Sequence, residues 1–280
     1  MVDVHPELAT PVSRIPNIAI SPRTIRLNRR VMGALSALLR KRSALPDDVA
    51  ILDLTVPVDS GDDVAIRVYR ALSAATPTPV IVWIHGGGLI MGSHRDDPTC
   101  TRLATATGAT IVSVDYRLAP EHPFPAALED LLATIDHLRR EPERFGIDAD
   151  RMVVAGQSAG GGLAASVAQR LRDRGIPLRG QLLVYPMLDD RTAMREDVAD
   201  KEHPVWSNAS NLTAWGAYLP EPPGSDRQPT DAVPARCDDL SGLAPAWIGV
   251  GTADLFHDED LAYAERLRAA GVDVTLEIVD

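Results

Sequence analysis

The sequence predicts an α/β fold in which a mostly parallel sheet carries helices on both faces. Near-continuous apolar runs, at 79–84 (PVIVWI) and 110–114 (TIVSV), are typical of strands that a sheet buries on both sides. Segments with helical periodicity alternate with these runs, and the alternation favours parallel strands joined by crossover helices. The length of 280 residues suits one large domain with an insertion, so we predict a single domain over 1–280.

The predicted elements follow in chain order from an N-terminal arm at 1–20. Short apolar or alternating runs bounded by turn residues predict eight strands, at 51–58, 64–70, 79–84, 110–114, 152–155, 181–185, 246–250 and 272–279. Turn residues at 59–62 (DSGD) predict that the first two strands form an antiparallel hairpin. Periodic apolar residues predict helices at 21–42, 125–140, 163–171 and 258–270, the last of which stops at Gly271.

Two segments are expected to form a helical cap over the sheet. Residues 189–239 are rich in proline and too long for a simple connection, which indicates an insertion. The predicted helix at 21–42 is amphipathic with a basic face. Such a helix can lie on a membrane, but packing on the domain is more common, so we expect no stable membrane association. We therefore predict a cap built from 1–48 and 189–239.

Composition excludes several classes of partner and compartment. The formal net charge is -11, so we expect no broad basic surface and no nucleic-acid partner. Only two cysteines are present, which fits a reducing compartment. The first residues contain acidic groups and prolines where a signal peptide has an apolar core. The protein is therefore expected to be cytoplasmic.

The most informative stretch is 151–169 (RMVVAGQSAGGGLAASVAQ). A short apolar strand is followed at once by a Gly-Gln-Ser-Ala-Gly turn and then by an alanine-rich helix. A nucleophile elbow needs this context, because it lifts a serine hydroxyl out of the backbone on a sharp turn. Glycines two residues before and two after the serine remove Cβ atoms that would collide there. Ser158 is therefore the candidate nucleophile, with an ordinary glycine-rich start of a helix as the alternative.

A second glycine motif, His85-Gly86-Gly87-Gly88, comes directly after the predicted strand at 79–84. Consecutive glycines expose backbone N–H groups, which an acyl-transfer site needs for the oxyanion of its tetrahedral intermediate. A flexible turn or a phosphate loop is the alternative. The phosphate version is weak, because the loop has no Gly-Lys-Ser/Thr and no G-x-G-x-x-G pattern.

The two motifs together resemble the hormone-sensitive lipase family of α/β-hydrolases, the HGGG-bearing esterases. The resemblance extends to 115–127 (DYRLAPEHPFPAA), to Tyr185-Pro186 and to 254–259 (DLFHDE), and it covers the chain from about residue 50 onward. It implies an α/β-hydrolase fold with an eight-stranded, mostly parallel sheet. Leu89 and Gln157 depart from the usual pattern, since the family commonly has Phe and Asp at these positions.

The resemblance also implies roles for individual residues. Ser158 is the expected nucleophile, and the N–H groups of Gly87, Gly88 and Ala159 are the expected oxyanion hole. Asp254 is the expected acid that orients the histidine, with capping of the following helix as its alternative role. Leu89 and Trp206 are the expected substrate-binding residues.

The histidine of the expected triad is missing from the sequence. The family carries it on the loop after the final strand, and here the predicted final strand reaches Asp280 with no histidine after it. We expect the natural chain to continue through a histidine loop and a last helix. No histidine in the sequence is predicted to be the general base; the seven are His5, His85, His94, His122, His137, His203 and His257.

The resemblance implies a serine carboxylesterase that forms an acyl-enzyme and prefers small esters with short acyl chains. Amide or lactone hydrolysis would use the same residues. The alternative from another class is a ligand-binding protein with an inactive triad, as in the gibberellin receptors, which resemble these esterases. We expect no cofactor and no metal, and the resemblance is compatible with a homodimer.

Overall fold

The computed structural model describes residues 7, 20–40, 46–58, 63–199, 203 and 205–280. The predicted hairpin turn at 59–62 and most of the predicted N-terminal arm lie outside these residues. The flanks of that turn are described, and they pair as an antiparallel ladder from Val56 opposite Val64 to Val49 opposite Ala71.

The described residues form an eight-stranded sheet in the order β1-β2-β4-β3-β5-β6-β7-β8. Pairing is antiparallel at β1/β2 and β2/β4 and parallel at every other neighbouring pair, which confirms the mostly parallel sheet. The strands are β1 (Val49–Val56), β2 (Val64–Ala71), β3 (Thr78–Ile84), β4 (Thr110–Val114), β5 (Ile147–Gln157), β6 (Gly180–Val184), β7 (Ala246–Gly251) and β8 (Val274–Val279).

Helices cover both faces of this sheet. Those in the described residues are α1 (Ile25–Arg40), α2 (Asp97–Thr107), α3 (Ala126–Arg140), α4 (Pro142–Phe145), α5 (Ala159–Asp173), α6 (Glu196–Ala199), α7 (Asn208–Tyr218) and α8 (His257–Ala269). Helix α2 was not predicted. It buries mainly small side chains, including Cys100 and Ala104, so its sequence has no stripe of large apolar residues.

Alternating side chains of the central strand β3 divide the core into two layers. Val80, Val82 and Ile84 pack in the larger layer, together with buried residues of α3, α5 and α8. Ile81 and Trp83 point to the opposite layer, where Cys100 and Ala104 of α2 cover them. Because successive strand residues face opposite sides, a strand that is apolar throughout must be covered on both.

The two predicted cap segments contact each other, and the second also contacts the body of the molecule. The carbonyl of Ile20, just before α1, accepts a hydrogen bond from Thr213 Oγ1 of α7 at 3.3 Å. The carbonyl of Tyr218 at the end of α7 accepts from the N–H of Phe124 at 2.9 Å. The division into a cap at 1–48 and 189–239 and a catalytic body stays a prediction. In the part of the chain described, no helix is long and apolar enough to cross a bilayer.

Glu259 anchors α8 to the segment that follows β6. Its Oε1 accepts hydrogen bonds from the backbone N–H groups of Leu188 at 2.6 Å and Asp189 at 3.1 Å. Burial raises the pKa of the Glu259 carboxyl to about 8, so this anchor is neutral at pH 7. The neighbouring Asp260 carboxyl is also buried, and its pKa lies well above the ordinary value for the same reason.

We predict that Glu259→Gln weakens the pH dependence of stability. Between pH 4.5 and 8 the unfolded chain has lost the Glu259 proton while the native state keeps it, so the unfolding free energy falls by about 1.4 kcal/mol per pH unit from this group. Glutamine keeps the carbonyl acceptor and does not titrate. The unfolding free energy, measured by urea denaturation at pH 5, 6.5 and 8, should therefore fall less steeply with pH for the variant than for the parent protein.

The matched control is Glu265→Gln on the same helix, an exposed residue whose replacement should leave the slope of the parent protein unchanged. Asp260 keeps part of the slope in both variants. Identical slopes for Glu259→Gln and the parent would show that the Glu259 carboxyl is ionised in the native state.

Candidate active site

Ser158 stands on a strained turn between β5 and α5. Its backbone has φ 55° and ψ -125°, a conformation that costs a residue with a side chain on the order of 1–3 kcal/mol. The surrounding backbone holds it there: its N–H donates to Val184 O at 2.8 Å, and its carbonyl accepts from Met187 N–H at 3.0 Å. A strained residue fixed by its neighbours is typical of functional sites.

The elbow glycines are required by close backbone contacts, as the sequence pattern predicted. A Cβ on Gly156 would lie 2.3 Å from the carbonyl oxygen of Gly160. A Cβ on Gly160 would lie 2.1 Å from the carbonyl oxygen of Ile84. Helix α5 therefore starts directly against the ends of β3 and β5, and this contact brings the residues after β3 next to Ser158.

The His85–Gly88 loop lies beside the elbow because β3 and β5 are neighbours in register. Ile84 of β3 pairs with Gly156 of β5, so the two strands end side by side at the same edge of the sheet. An ideal Cβ on Gly86 would stand 3.3 Å from Ser158 Cβ, which measures how closely the loop approaches the serine. The structure thus brings together the two glycine motifs that the sequence identified separately.

Several carbonyl groups of this loop are occupied by donors from the protein. Tyr116 Oη donates to His85 O at 2.8 Å, and Ala119 N–H donates to Leu89 O at 3.0 Å. The N–H groups of Ile90 and Met91 both donate to Gly87 O, at 3.2 and 3.0 Å. These bonds fix the loop as a tight turn with its carbonyls engaged.

The N–H groups of Gly87, Gly88 and Ala159 have no hydrogen-bond acceptor among the described residues. Gly87 and Gly88 belong to the fixed loop, and Ala159 is the first residue of α5, so a helix N-terminus adds its partial positive charge. Donors fixed in advance around a serine can stabilise an oxyanion that develops during reaction.

Asp254 follows β7, at the same edge of the sheet as Ser158. Strand β6 separates β7 from β5, so the two residues leave strands about 10 Å apart. Asp254 Oδ1 accepts a hydrogen bond from Phe256 N–H at 2.8 Å, a turn contact just before α8. Burial raises the pKa of the Asp254 carboxyl, opposed by this hydrogen bond and by the nearby His203 and His257.

The two predicted substrate-binding residues differ in their placement. Trp206 reaches the glycine loop: a Cβ on Gly88 would lie 2.2 Å from Trp206 Cη2. The indole N–H of Trp206 is buried, and no acceptor for it occurs within the described ranges. Leu89 has a positive φ of 64° and is only 4% exposed, with its side chain in the main core layer. Its contact with a substrate stays a prediction.

The sequence did not single out a polar chain that flanks the serine. Tyr185 Oη donates to Gln157 Oε1 at 3.2 Å, and Gln157 Nε2 donates to Asp96 Oδ2 at 3.5 Å. Burial raises the pKa of Tyr185, and the negative charges of Asp254 and Asp96 act in the same direction. Gln157 and the Tyr185-Pro186 pair both stood out in the sequence, but nothing there indicated that their side chains meet.

The histidines of the described residues make no hydrogen bond to Ser158 or Asp254. His85 is stacked on Tyr116 with ring centroids 4.3 Å apart, and burial lowers its pKa, so the ring is neutral. His203 Nδ1 is 3.2 Å from Ala253 O, the backbone carbonyl of the residue that precedes Asp254. His257 Nδ1 is 3.1 Å from Asp258 Oδ1. His5 lies outside the described residues.

Comparisons with known proteins identify the family to which this chain belongs. A family model described as "alpha/beta hydrolase fold" matches residues 81–280. Carboxylesterase NlhH of Mycobacterium tuberculosis is 38% identical over 249 residues, which cover 86% of this chain and 77% of that protein. The chain belongs to the hormone-sensitive lipase family of α/β-hydrolases. The resemblance and the fold predicted from the sequence are therefore confirmed.

Further members of the family are similar along most of the chain. Ethyl acetate hydrolase of Pseudomonas putida is 32% identical over 261 residues, which cover 90% of this chain and 79% of that one. The solved structure of a bacterial heroin esterase superposes with a TM-score of 0.90 at 35% identity and covers 98% of this chain and 88% of its own. The family likeness thus includes the sheet and the segments around it.

We predict that Gly160→Ala destabilises the protein strongly. The added methyl group would meet the backbone carbonyl of Ile84 at 2.1 Å, and two backbone segments must separate to admit it. We expect a loss of more than about 2 kcal/mol in the unfolding free energy, measured by urea denaturation. The control is Gly216→Ala within α7, where nothing lies within 4 Å of the new Cβ and alanine favours the helix by about 0.5–1 kcal/mol. Equal stability of the two variants would contradict the close packing of the elbow.

Proposed function

We propose that the protein is a serine carboxylesterase that forms an acyl-enzyme with short-chain esters. The observation that carries the proposal is the strained Ser158 beside three backbone N–H groups that lack an acceptor in the described structure. Membership of a family whose members include carboxylesterases supports the same reaction class.

The proposed reaction proceeds in two displacements. Ser158 Oγ attacks the ester carbonyl carbon, and the carbonyl oxygen becomes an oxyanion that the N–H groups of Gly87, Gly88 and Ala159 bind. Collapse of this intermediate breaks the bond to the alcohol oxygen, which takes up a proton and leaves. Water then attacks the acyl-serine through the same oxyanion geometry and releases the acid.

Proton transfer in both steps needs a base between Ser158 and an acid. Asp254 is the proposed acid, because it follows β7 at the carboxyl edge of the sheet and is half-buried there. An ionised carboxylate there would hold an imidazole in the correct tautomer and stabilise the imidazolium. We assign the base to no residue of the sequence, since no described histidine bonds to Ser158 or Asp254.

The preference for short acyl chains rests on the contact between Trp206 and Gly88. The Trp206 ring lies against the loop that would bind the oxyanion, so it occupies space beside the reacting carbonyl. A wall this close to the reaction centre favours small substrates. A relative named ethyl acetate hydrolase, which is 32% identical, supports a small ester as substrate.

We predict that Ser158→Ala lowers kcat for p-nitrophenyl butyrate by about 10⁴-fold or more, because the nucleophile is lost while the oxyanion donors remain. The measurement uses the product of the complete gene and a series of p-nitrophenyl esters from acetate to decanoate, with rates falling as the acyl chain lengthens. The control is Ser93→Ala, whose Oγ accepts only a local hydrogen bond from Arg95 N–H.

Three results would contradict the proposal in different ways. Unchanged hydrolysis by Ser158→Ala would exclude this serine as the nucleophile. Rates that rise with acyl length would overturn the short-chain preference. A parent protein that is silent with every ester and binds a ligand without turnover would favour the binding-protein alternative.

We predict that Asp254→Asn separates activity from stability. Loss of the carboxylate should lower kcat by about 10³- to 10⁴-fold, because an amide does not stabilise the imidazolium. The pKa of Asp254 is higher in the folded protein than in the unfolded chain. The unfolding free energy therefore decreases as the pH rises above the pKa of the unfolded chain. The neutral asparagine should therefore leave the thermal midpoint at pH 8 equal to or higher than that of the parent protein, as measured by circular dichroism. A large drop in that midpoint would assign Asp254 a purely structural role.

A further inference from the structure

Arg29 of α1 reaches from the N-terminal helix onto the glycine loop. Its Nε donates to Ile90 O at 2.8 Å, and its Nη2 donates to Ala119 O at 2.6 Å. Its Nη1 pairs with Glu121 Oε2 at 2.9 Å. One guanidinium therefore joins three acceptors, two of which are backbone carbonyls next to the candidate oxyanion hole.

The two backbone acceptors belong to one hydrogen-bonded unit with the glycine loop. Ala119 N–H donates to Leu89 O, so the Ala119 residue links the loop to Arg29. Ile90 N–H donates to Gly87 O, while Ile90 O accepts from Arg29. Movement of the guanidinium would therefore be transmitted through Ile90 and Ala119 to the peptide groups of Gly87 and Gly88.

We propose that Arg29 is a positioning residue for the oxyanion loop. The inference rests on the proposed esterase function, since it assigns the N–H groups of Gly87 and Gly88 to the reaction. Arg29 makes no hydrogen bond to these N–H groups. It fixes the carbonyl side of the same turn, and thereby the direction in which the N–H groups are presented. Fixed donors stabilise a developing oxyanion without reorganisation at the moment of reaction.

An arginine suits this position better than another cation. Its planar fork presents several donors in fixed directions, whereas a lysine ammonium is a compact charge on a flexible stem. Glu121 neutralises the charge and holds one edge of the fork, which leaves the other donors for the two carbonyls. The side chain of Arg29 is only 27% exposed, so water competes weakly for these bonds.

Arg26 provides a matched control on the same helix. It also pairs with Glu121, with Nε 2.9 Å from Oε1, but its side chain is 71% exposed. Among the described residues it makes no hydrogen bond to the loop carbonyls. An exposed pair of this kind contributes little to stability. Loss of Arg26 removes a positive charge from α1 and a bond to Glu121 while the bonds to Ile90 and Ala119 remain.

The test compares Arg29→Met, Arg29→Lys and Arg26→Met in the product of the complete gene. Four quantities are measured: kcat and KM for p-nitrophenyl butyrate, the inhibition constant of a short-chain trifluoromethyl ketone, and the thermal midpoint. The ketone adds to the serine and forms an oxyanion. We expect Arg29→Met to lower kcat about 10- to 30-fold, less than loss of a direct oxyanion donor, with KM within about twofold. The inhibition constant should weaken by the same factor as kcat.

Arg29→Lys should keep the charge pair with Glu121 and the thermal midpoint, with a kcat between those of the parent and Arg29→Met. Arg26→Met should match the parent protein within about twofold in kcat, KM and the inhibition constant. A role in packing alone would lower the thermal midpoint of Arg29→Lys or raise KM without weakening the inhibitor. Either of those results, or an unchanged kcat in Arg29→Met, would overturn the inference.

The same assays separate this inference from the proposed function. If Ser158→Ala hydrolyses the ester as fast as the parent protein, the serine mechanism fails and the Arg29 assignment fails with it. If Ser158→Ala is inactive and both Arg29 variants behave as the parent protein does, the esterase proposal holds and only the positioning role of Arg29 is wrong.

Discussion

The packing of α5 against the ends of β3 and β5 is the contact on which the rest of the site depends. Backbone atoms of Gly156, Gly160 and Ile84 approach so closely that no side chain fits between them. This approach directs the chain into the turn that carries Ser158 and sets the residues after β3 beside it. The close contact is between backbone atoms, and it is possible only because glycine has no side chain. Hydrophobic burial of α5 against the sheet favours this packing.

The glycine loop is held by donors from distant parts of the chain. Tyr116 and Ala119 come from the segment after β4, and Arg29 comes from α1. Each of them binds a carbonyl, whereas the N–H groups of Gly87 and Gly88 have no acceptor within the part of the chain that the structure describes. Because the fold holds the carbonyls of this loop in place, the directions of its free N–H groups are also fixed. Donors fixed in this way need no rearrangement to bind a negatively charged oxygen.

Much of the architecture could be predicted from the sequence because its signals are local. The apolar runs of β3 and β4 and the strand–turn–helix pattern around Ser158 lie within short windows, and all appear in the structure. Helix α2 was missed because small side chains such as Ala104 carry no periodic signal. The contacts of Arg29 with Ile90 and of Trp206 with Gly88 join residues far apart in the chain. No pattern in a single sequence specifies such pairs, since they depend on how the N-terminal helix and the insertion pack.

The contact of Trp206 with Gly88 means that the surroundings of Ser158 come from two different parts of the fold. The ring comes from the segment between β6 and β7, yet it touches the loop beside the serine. A change in this segment would therefore alter the space beside the glycine loop while the strand ends that precede Ser158 and Asp254 stay the same. The position of Ser158 is thus set by the sheet, whereas part of the space beside it is set by a segment outside the sheet.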